Sequence, residues 1–188
     1  MPINVLFDLL APIYDRVIRE PSIADLKQHL KLPNDGWLLD AGGGTGRVSS
    51  QIRSCVGRLV IADLSRPMLK QASRKQDCCF LQTSTDRLPF NSQSINRILV
   101  VDALHHFNDQ FTAISEFMRI LKPGGRLLIQ EPDIHHPAVK MVAVMEKLAL
   151  MGSHFHPWQE IKAMGETLGY NPQVHLDQGH TVWIIIDK

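Results

Sequence analysis

Runs of apolar residues, punctuated by glycine, proline and single acids, divide this chain into strand-like and helix-like segments in alternation. Short continuous apolar runs bounded by turn signals have the length of strands buried on both faces. Such runs occupy Trp37–Ala41, Leu59–Ala62, Cys79–Gln82, Ile98–Val101 and Leu127–Gln130. Between them the apolar positions recur at helical spacing. Val48, Ile52 and Val56 follow the first run and predict a helix to about Cys55. A second helix runs to about Gln76, and Phe111, Ile114, Ser115, Met118 and Leu121 share one face of another, over 111–121, stopped by Pro123 and Gly124. Upstream, residues 3–19 read as an amphipathic helical region interrupted at Pro12, and Ser22 caps a helix over 22–31. Downstream, residues 137–151 are apolar over a wide face, and a helix over 157–168 ends at Gly169. Gln173–Leu176 and Thr181–Ile186 then form a closing antiparallel hairpin.

Strands alternating with helices predict an α/β protein: a three-layer, doubly wound, seven-stranded, mostly parallel sheet whose last strand is antiparallel. One domain over 1–188 is expected, with an N-terminal helical cap (1–35), a core that binds the ligand (36–132) and a tail of helices and hairpin (133–188).

Composition narrows the function classes. At 188 residues with 44% hydrophobic residues the chain has enough apolar side chain for a real core. A net charge of +1 gives no broad basic face, so no nucleic-acid partner is expected. Three cysteines without a C-x-x-C spacing predict reduced thiols and a cytoplasmic setting. No apolar run approaches the roughly 20 residues of a membrane span, and residues 1–20 lack the pattern of a secretory signal.

The candidate chemistry lies at the ends of the strands. Asp40 closes the first apolar run, and Gly42, Gly43, Gly44 and Gly46 crowd behind it. A strand, a glycine turn and a helix form the opening unit of a nucleotide-binding sheet, where bare backbone lets a ligand approach closely. A dinucleotide fingerprint, G-x-G-x-x-G, would place a glycine where Arg47 stands. The observed pattern is D-x-G-x-G-x-G, and an acid at its head would repel a pyrophosphate. Asp63 ends the second strand, 17 residues after Gly46, near the spacing at which an acid accepts the ribose hydroxyls.

This pattern resembles motif I of the class I S-adenosyl-L-methionine (SAM)-dependent methyltransferases, and further segments follow in that family's order. Phe7, Ala11, Tyr14 and Asp15 resemble the entry segment of the ubiquinone/menaquinone-biosynthesis type, and Asp63–Leu69 resembles its D-x-S-x-x-M-L run. The loop 84–90 is similar to D-A-E-x-L-P-F, although Ser84 stands in place of the first acid and Asp86 in place of the glutamate. Residues 94–106 are similar to S-F-D-x-V-x-x-x-x-x-L-H-H, with Ile95 and Asn96 replacing Phe and Asp. Leu121–Gly125 matches the helix stop that precedes an apolar strand.

The resemblance implies SAM as cofactor and methyl transfer to a small-molecule acceptor, partly apolar, by direct in-line displacement. It implies that Asp40 holds the amino end, that Gly42, Gly44 and Gly46 pass beside the methionine part, and that Asp63 takes the ribose. Leu64 would pack on the adenine, Ser84 and Thr85 would contact its edge, and Tyr14 would lie across the pocket. Met68 is expected in the core. Val101 and Asp102 would line the methyl-transfer centre, with His105, Asp102 and Glu131 as candidate acid–base groups. Nine histidines invite a metal, but no metal-ligand spacing is present and none is expected. Two other readings stay open: a SAM-binding protein without transferase activity, and a nicotinamide-dependent oxidoreductase.

Overall fold

The computed structural model describes residues 21–75, 78–148, 153–177 and 180–188. The amphipathic stretch at 3–19, Tyr14 included, lies outside the described residues.

Ser22 starts α1 (Ile23–Leu30) as expected: its hydroxyl accepts the Asp25 amide, and Leu26 and Leu30 are buried beneath. The elements then follow as β1 (Asn34–Ala41), α2 (Ser49–Ile52), β2 (Val56–Asp63), α3 (Arg66–Ala72), β3 (Cys79–Gln82), β4 (Ile95–Val101), α4 (Gln110–Ile120), β5 (Leu121–Pro132), α5 (Pro137–Leu148), α6 (Trp158–Thr167), β6 (Gln173–Leu176) and β7 (Thr181–Asp187). Short 3₁₀ turns occupy Arg53–Cys55 and Leu104–His106. One seven-stranded sheet has the order β3-β2-β1-β4-β5-β7-β6. The pairs among β1 to β5 are parallel, and β7 lies antiparallel between β5 and β6.

Both faces of the sheet are covered, which explains the continuous apolar runs. Alternate residues enter two cores. Leu39, Val60, Ile98, Val100, Leu127, Ile129 and Ile184 pack on the side that holds Phe117 of α4 and Ile161 of α6. Leu38, Leu59, Ile61, Leu99, Leu128 and Ile185 pack on the other side with Leu26, Ile52 and Leu69. Arg126, buried on β5, makes a two-pronged bond to Asp187 at the end of β7 and donates to the His29 carbonyl of α1. It thereby fastens the first helix to the last strand.

Three details differ from the expectation. The helix after the glycine turn is only one turn long before it tightens to 3₁₀. The Ser50 hydroxyl and the Gln51 side-chain Nε2 both donate to the Arg47 carbonyl, competing with the α-helical ladder. Phe111 is 40% exposed rather than on the inner face of α4, which Ala113, Ile114, Phe117 and Met118 form. On α5, Val139 is buried, but Met141, Val142, Val144 and Met145 are exposed.

Candidate active site

The carboxyl ends of β1, β2 and β4 open on one cleft, where an open α/β sheet places its ligands. The first turn contributes Gly42, Gly43, Gly44 and Arg47, and β1 contributes Asp40. Asp63, Leu64 and Ser65 come from the end of β2, and Thr83, Ser84 and Thr85 from the loop after β3. Val101, Asp102 and Ala103 form the wall after β4, followed by His106, Phe107 and Asn108. Of the described residues expected to hold a cofactor, Asp40, Gly42, Gly44, Asp63, Leu64, Ser84, Thr85 and Val101 thus meet in one place. Gly46 does not line the cleft; its amide closes the turn on the Gly43 carbonyl.

The turn needs glycine for two separate reasons. Gly42 has φ +70°, and a Cβ there would fall 2.7 Å from Cβ of Ala103. Gly44 has φ +54°, yet a Cβ there would meet nothing nearer than Asp63 Oδ2 at 3.9 Å. Gly42 therefore packs against the β4 wall, while Gly44 leaves bare backbone beside open space.

Asp63 joins the two strand tips. Its Oδ2 accepts the Gly44 amide at 2.8 Å and its Oδ1 accepts the Ser65 amide at 2.7 Å. Ser65 in turn caps α3 through the Met68 amide. The carboxylate also lines the cleft, half-buried at its edge. Met68, expected in the core, is 3% exposed and also borders the cleft.

Asp40 lies deeper, 2% exposed. Burial pushes its pKa up to about 6, opposed by the neighbouring Ser49 hydroxyl and by Arg47, and reinforced by Asp63. Although it lies beside this carboxyl, the buried Ser49 oxygen has no hydrogen-bond partner of normal geometry among the described residues. A buried acid with an unsatisfied neighbour, under a bare glycine turn, has the chemistry to receive a cationic group.

On the opposite lip, Arg47 donates to Asp102 Oδ2 at 2.8 Å, and Gln130 Nε2 donates to Oδ1 at 3.2 Å. Burial raises the Asp102 pKa, and Arg47 works against that rise. His105 and Glu131 lie behind the wall rather than on it: they are 5% and 4% exposed, and Nδ1 of His105 is 2.5 Å from Glu131 Oε2. The neighbouring His106 lines the cleft instead, its Nδ1 3.1 Å from the Ser153 hydroxyl. Burial, with some help from His105, drives the His106 pKa down to about 2, so its ring is neutral at physiological pH. The Ser84 hydroxyl donates to Asp86 at 2.9 Å, so a carboxylate does sit against this loop, two residues from the position the resemblance implies. Among the described residues no cluster of three His, Cys, Asp or Glu could hold a metal, and no helix is long and apolar enough to cross a membrane.

Arg47, His106 and Phe107 escaped the sequence reading. Arg47 stood out only as a break in a dinucleotide fingerprint, because its partner Asp102 is 55 residues away. Which of two adjacent histidines faces the cleft depends on the 3₁₀ turn at Leu104–His106, and periodicity carries no signal for that.

Fold and site together define a Rossmann-like adenosyl-cofactor domain: a bare glycine turn, acids at the first two strand tips and an antiparallel closing strand. A methyltransferase-domain family model matches residues 39–129. The chain is 34% identical over 141 residues to the ubiquinone/menaquinone biosynthesis C-methyltransferase of Syntrophotalea carbinolica, covering 67% of this chain and 59% of that protein. It is 33% identical over 105 residues to the enzyme of the same name from Hahella chejuensis, covering 50% and 42%. The match therefore spans between about two-fifths and three-fifths of the length of these relatives.

Among solved structures, a SAM-dependent methyltransferase from Thermotoga maritima, described as a possible histamine N-methyltransferase, superposes with TM-score 0.81 at 19% identity over 99% of both chains. Phosphoethanolamine N-methyltransferase 2 of Haemonchus contortus, in complex with SAM, gives 0.73 at 18% identity over 88% of this chain and 51% of that one. Over its core the chain is therefore similar to SAM-dependent methyltransferases and has the fold of solved members of that class, and the nicotinamide-dependent reading is not favoured.

The ion pair across the cleft is testable alone. Arg47→Met leaves the half-buried Asp102 without this cation; breaking a fully buried pair from one side costs about 3 kcal/mol, and the 20% exposure of Asp102 sets that as the upper bound. Urea unfolding should show that loss, and carbon NMR should show the Asp102 pKa rising further. An unchanged unfolding midpoint would mean that the pair carries no stability.

Proposed function

We propose that this chain transfers the methyl group of SAM to a small-molecule acceptor, partly apolar in character, by in-line displacement. The observation that carries the reading is the joint placement of Asp40 and Asp63 on one cleft, on either side of the open backbone at Gly44. When bound, the cofactor supplies a sulfonium methyl already activated for attack, so the protein's share is largely positioning.

The residues divide that work. Asp63, bonded to the Gly44 and Ser65 amides and lining the cleft, faces the ribose hydroxyls with its carboxylate. Asp40 faces the amino end, and Gly42 to Gly44 supply the surface for the methionine part. Leu64, 45% exposed at the cleft, covers the adenine face. Ser84 and Thr85 meet its edge. Tyr14 is assigned a place across the pocket by resemblance alone. Val101 and Asp102 border the methyl-transfer centre. For an acceptor that must lose a proton, Asp102 is the base, because burial brings its pKa toward the working pH. A neutral His106 with a pKa of about 2 is too weak a base and serves as a wall or hydrogen-bonding group. His105 and Glu131 are reassigned from acid–base work, since they pair with each other outside the cleft.

Asp63→Ala should raise the SAM dissociation constant at least tenfold, through loss of charge-assisted bonds. It should also abolish transfer of isotope-labelled methyl from SAM into a cell-free metabolite extract. Calorimetry with unchanged affinity would contradict the ribose assignment. Wild-type protein that binds SAM but labels nothing would contradict the transferase reading.

Asp40 makes binding depend on pH. In the free protein its carboxyl is half protonated at about pH 6. A cation beside it favours the carboxylate, so a proton must leave before the ligand binds and affinity falls as pH drops. Between pH 7 and pH 5 the SAM affinity should fall about tenfold, and Asp40→Asn should abolish that slope. A slope unchanged in Asp40→Asn would place the amino group elsewhere.

A further inference from the structure

Glu131 does not border the cleft, yet its carboxylate is fully engaged. Oε1 accepts the amides of Ala103 at 3.0 Å and Leu104 at 2.8 Å, and Oε2 faces Nδ1 of His105 at 2.5 Å. Three consecutive residues are held by one buried side chain. The backbone needs such an anchor. It leaves β4 through Asp102 at φ +49°, a left-handed conformation that a residue with a Cβ rarely adopts. The anchored turn then lies directly against the glycine bend: a Cβ on Gly42 would fall 2.7 Å from Ala103 Cβ and 3.2 Å from the Phe107 ring. On its outer side, His105 stacks on Phe155 with ring centroids 4.2 Å apart, and its carbonyl accepts the His154 amide at 2.7 Å.

We propose that Glu131 is a positioning residue for the cofactor cradle. It acts through the amides of Ala103 and Leu104 and through the His105 ring, and it holds the turn after β4 against Gly42. The proposal rests on the methyltransferase reading of the cleft and adds a residue that touches neither cofactor nor acceptor. Glu131 lies on the rigid β5, bonded to β4 on one side and β7 on the other, so its carboxylate is a fixed reference point. The left-handed step at Asp102 is maintained from both sides of the wall, by Arg47 across the cleft and by Glu131 behind it. Without Glu131, two buried amides lose their acceptor and the turn is free to relax away from Gly42.

The test pairs hydrogen exchange with calorimetry, using S-adenosylhomocysteine as the probe. In Glu131→Ala, the amides of Ala103 and Leu104 should lose protection while those of β1 and β2 keep theirs, and affinity should fall about tenfold. Glu131→Gln retains an oxygen acceptor for both amides. It should restore their protection and bring affinity to within about threefold of wild type. A merely structural role predicts a general loss of protection, not one confined to two amides and rescued by the amide side chain.

Unchanged affinity in Glu131→Ala, with the two amides freed, would overturn the proposal. So would a Glu131→Gln variant as impaired as Glu131→Ala while its two amides stay protected. Should Glu131→Ala not fold, Glu131→Asp decides. Its shorter carboxylate should leave the two amides partly exposed and weaken binding at least threefold, whereas wild-type affinity would overturn the proposal. Wild-type protein that does not bind the probe would remove the methyltransferase reading and this proposal with it. That failure is distinct from one in which Glu131→Ala leaves both amides protected, which would show that Glu131 does not hold the turn.

Discussion

The hydrogen bond from the Gly44 amide to the Asp63 carboxylate is the constraint on which the cleft depends. It crosses from the bend after the first strand to the tip of the second, 19 residues later. Both partners are needed in their present form. A side chain at Gly44 would have to adopt positive φ and project into the open cleft, and an uncharged residue at position 63 would give up the charge-assisted contacts that fix both the bend and the start of α3. With the bend held open, the backbone itself becomes a binding surface.

Around that bond the charges are arranged by depth. Asp63 is half-buried and bonded to two backbone amides, whereas Asp40 is buried, with the Ser49 hydroxyl and Arg47 opposing the cost of its charge. Two neighbouring acids in unlike surroundings are therefore suited to different tasks, one to accept hydroxyls and the other to meet a positive charge. Across the cleft the half-buried Asp102 is paired with Arg47, itself part of the glycine bend. The bend thus supplies open backbone to the ligand and a guanidinium to the opposite wall. Behind that wall, the bonds from Glu131 to the backbone carry rigidity from the centre of the sheet to the cleft edge.

Much of this was legible in the chain because it depends on local pattern. The apolar runs mark strands covered on both faces, and Ser22, Pro123 and Gly169 punctuate helices by conformational preference that acts within a few residues. Asp40, Gly42, Gly44 and Asp63 could be placed because strand, bend and acid follow one another closely. What escaped depends on contacts distant in sequence. Arg47 meets Asp102 from 55 residues away, and Glu131 meets Leu104 from 27. That His106 rather than His105 lines the cleft follows from the 3₁₀ turn, in which successive side chains are rotated by about 120°. Exposure of Phe111 has the same character: it lies at the edge of the helix face on which Gln110, Ala113 and Phe117 are buried.

The most direct measurement is a crystal structure of the protein with S-adenosylhomocysteine. The account predicts ribose hydroxyls on the Asp63 carboxylate, the amino group over Asp40 and the chain of the ligand along Gly42 to Gly44. A ligand bound elsewhere, or bound in this cleft with its ribose away from Asp63, would contradict it.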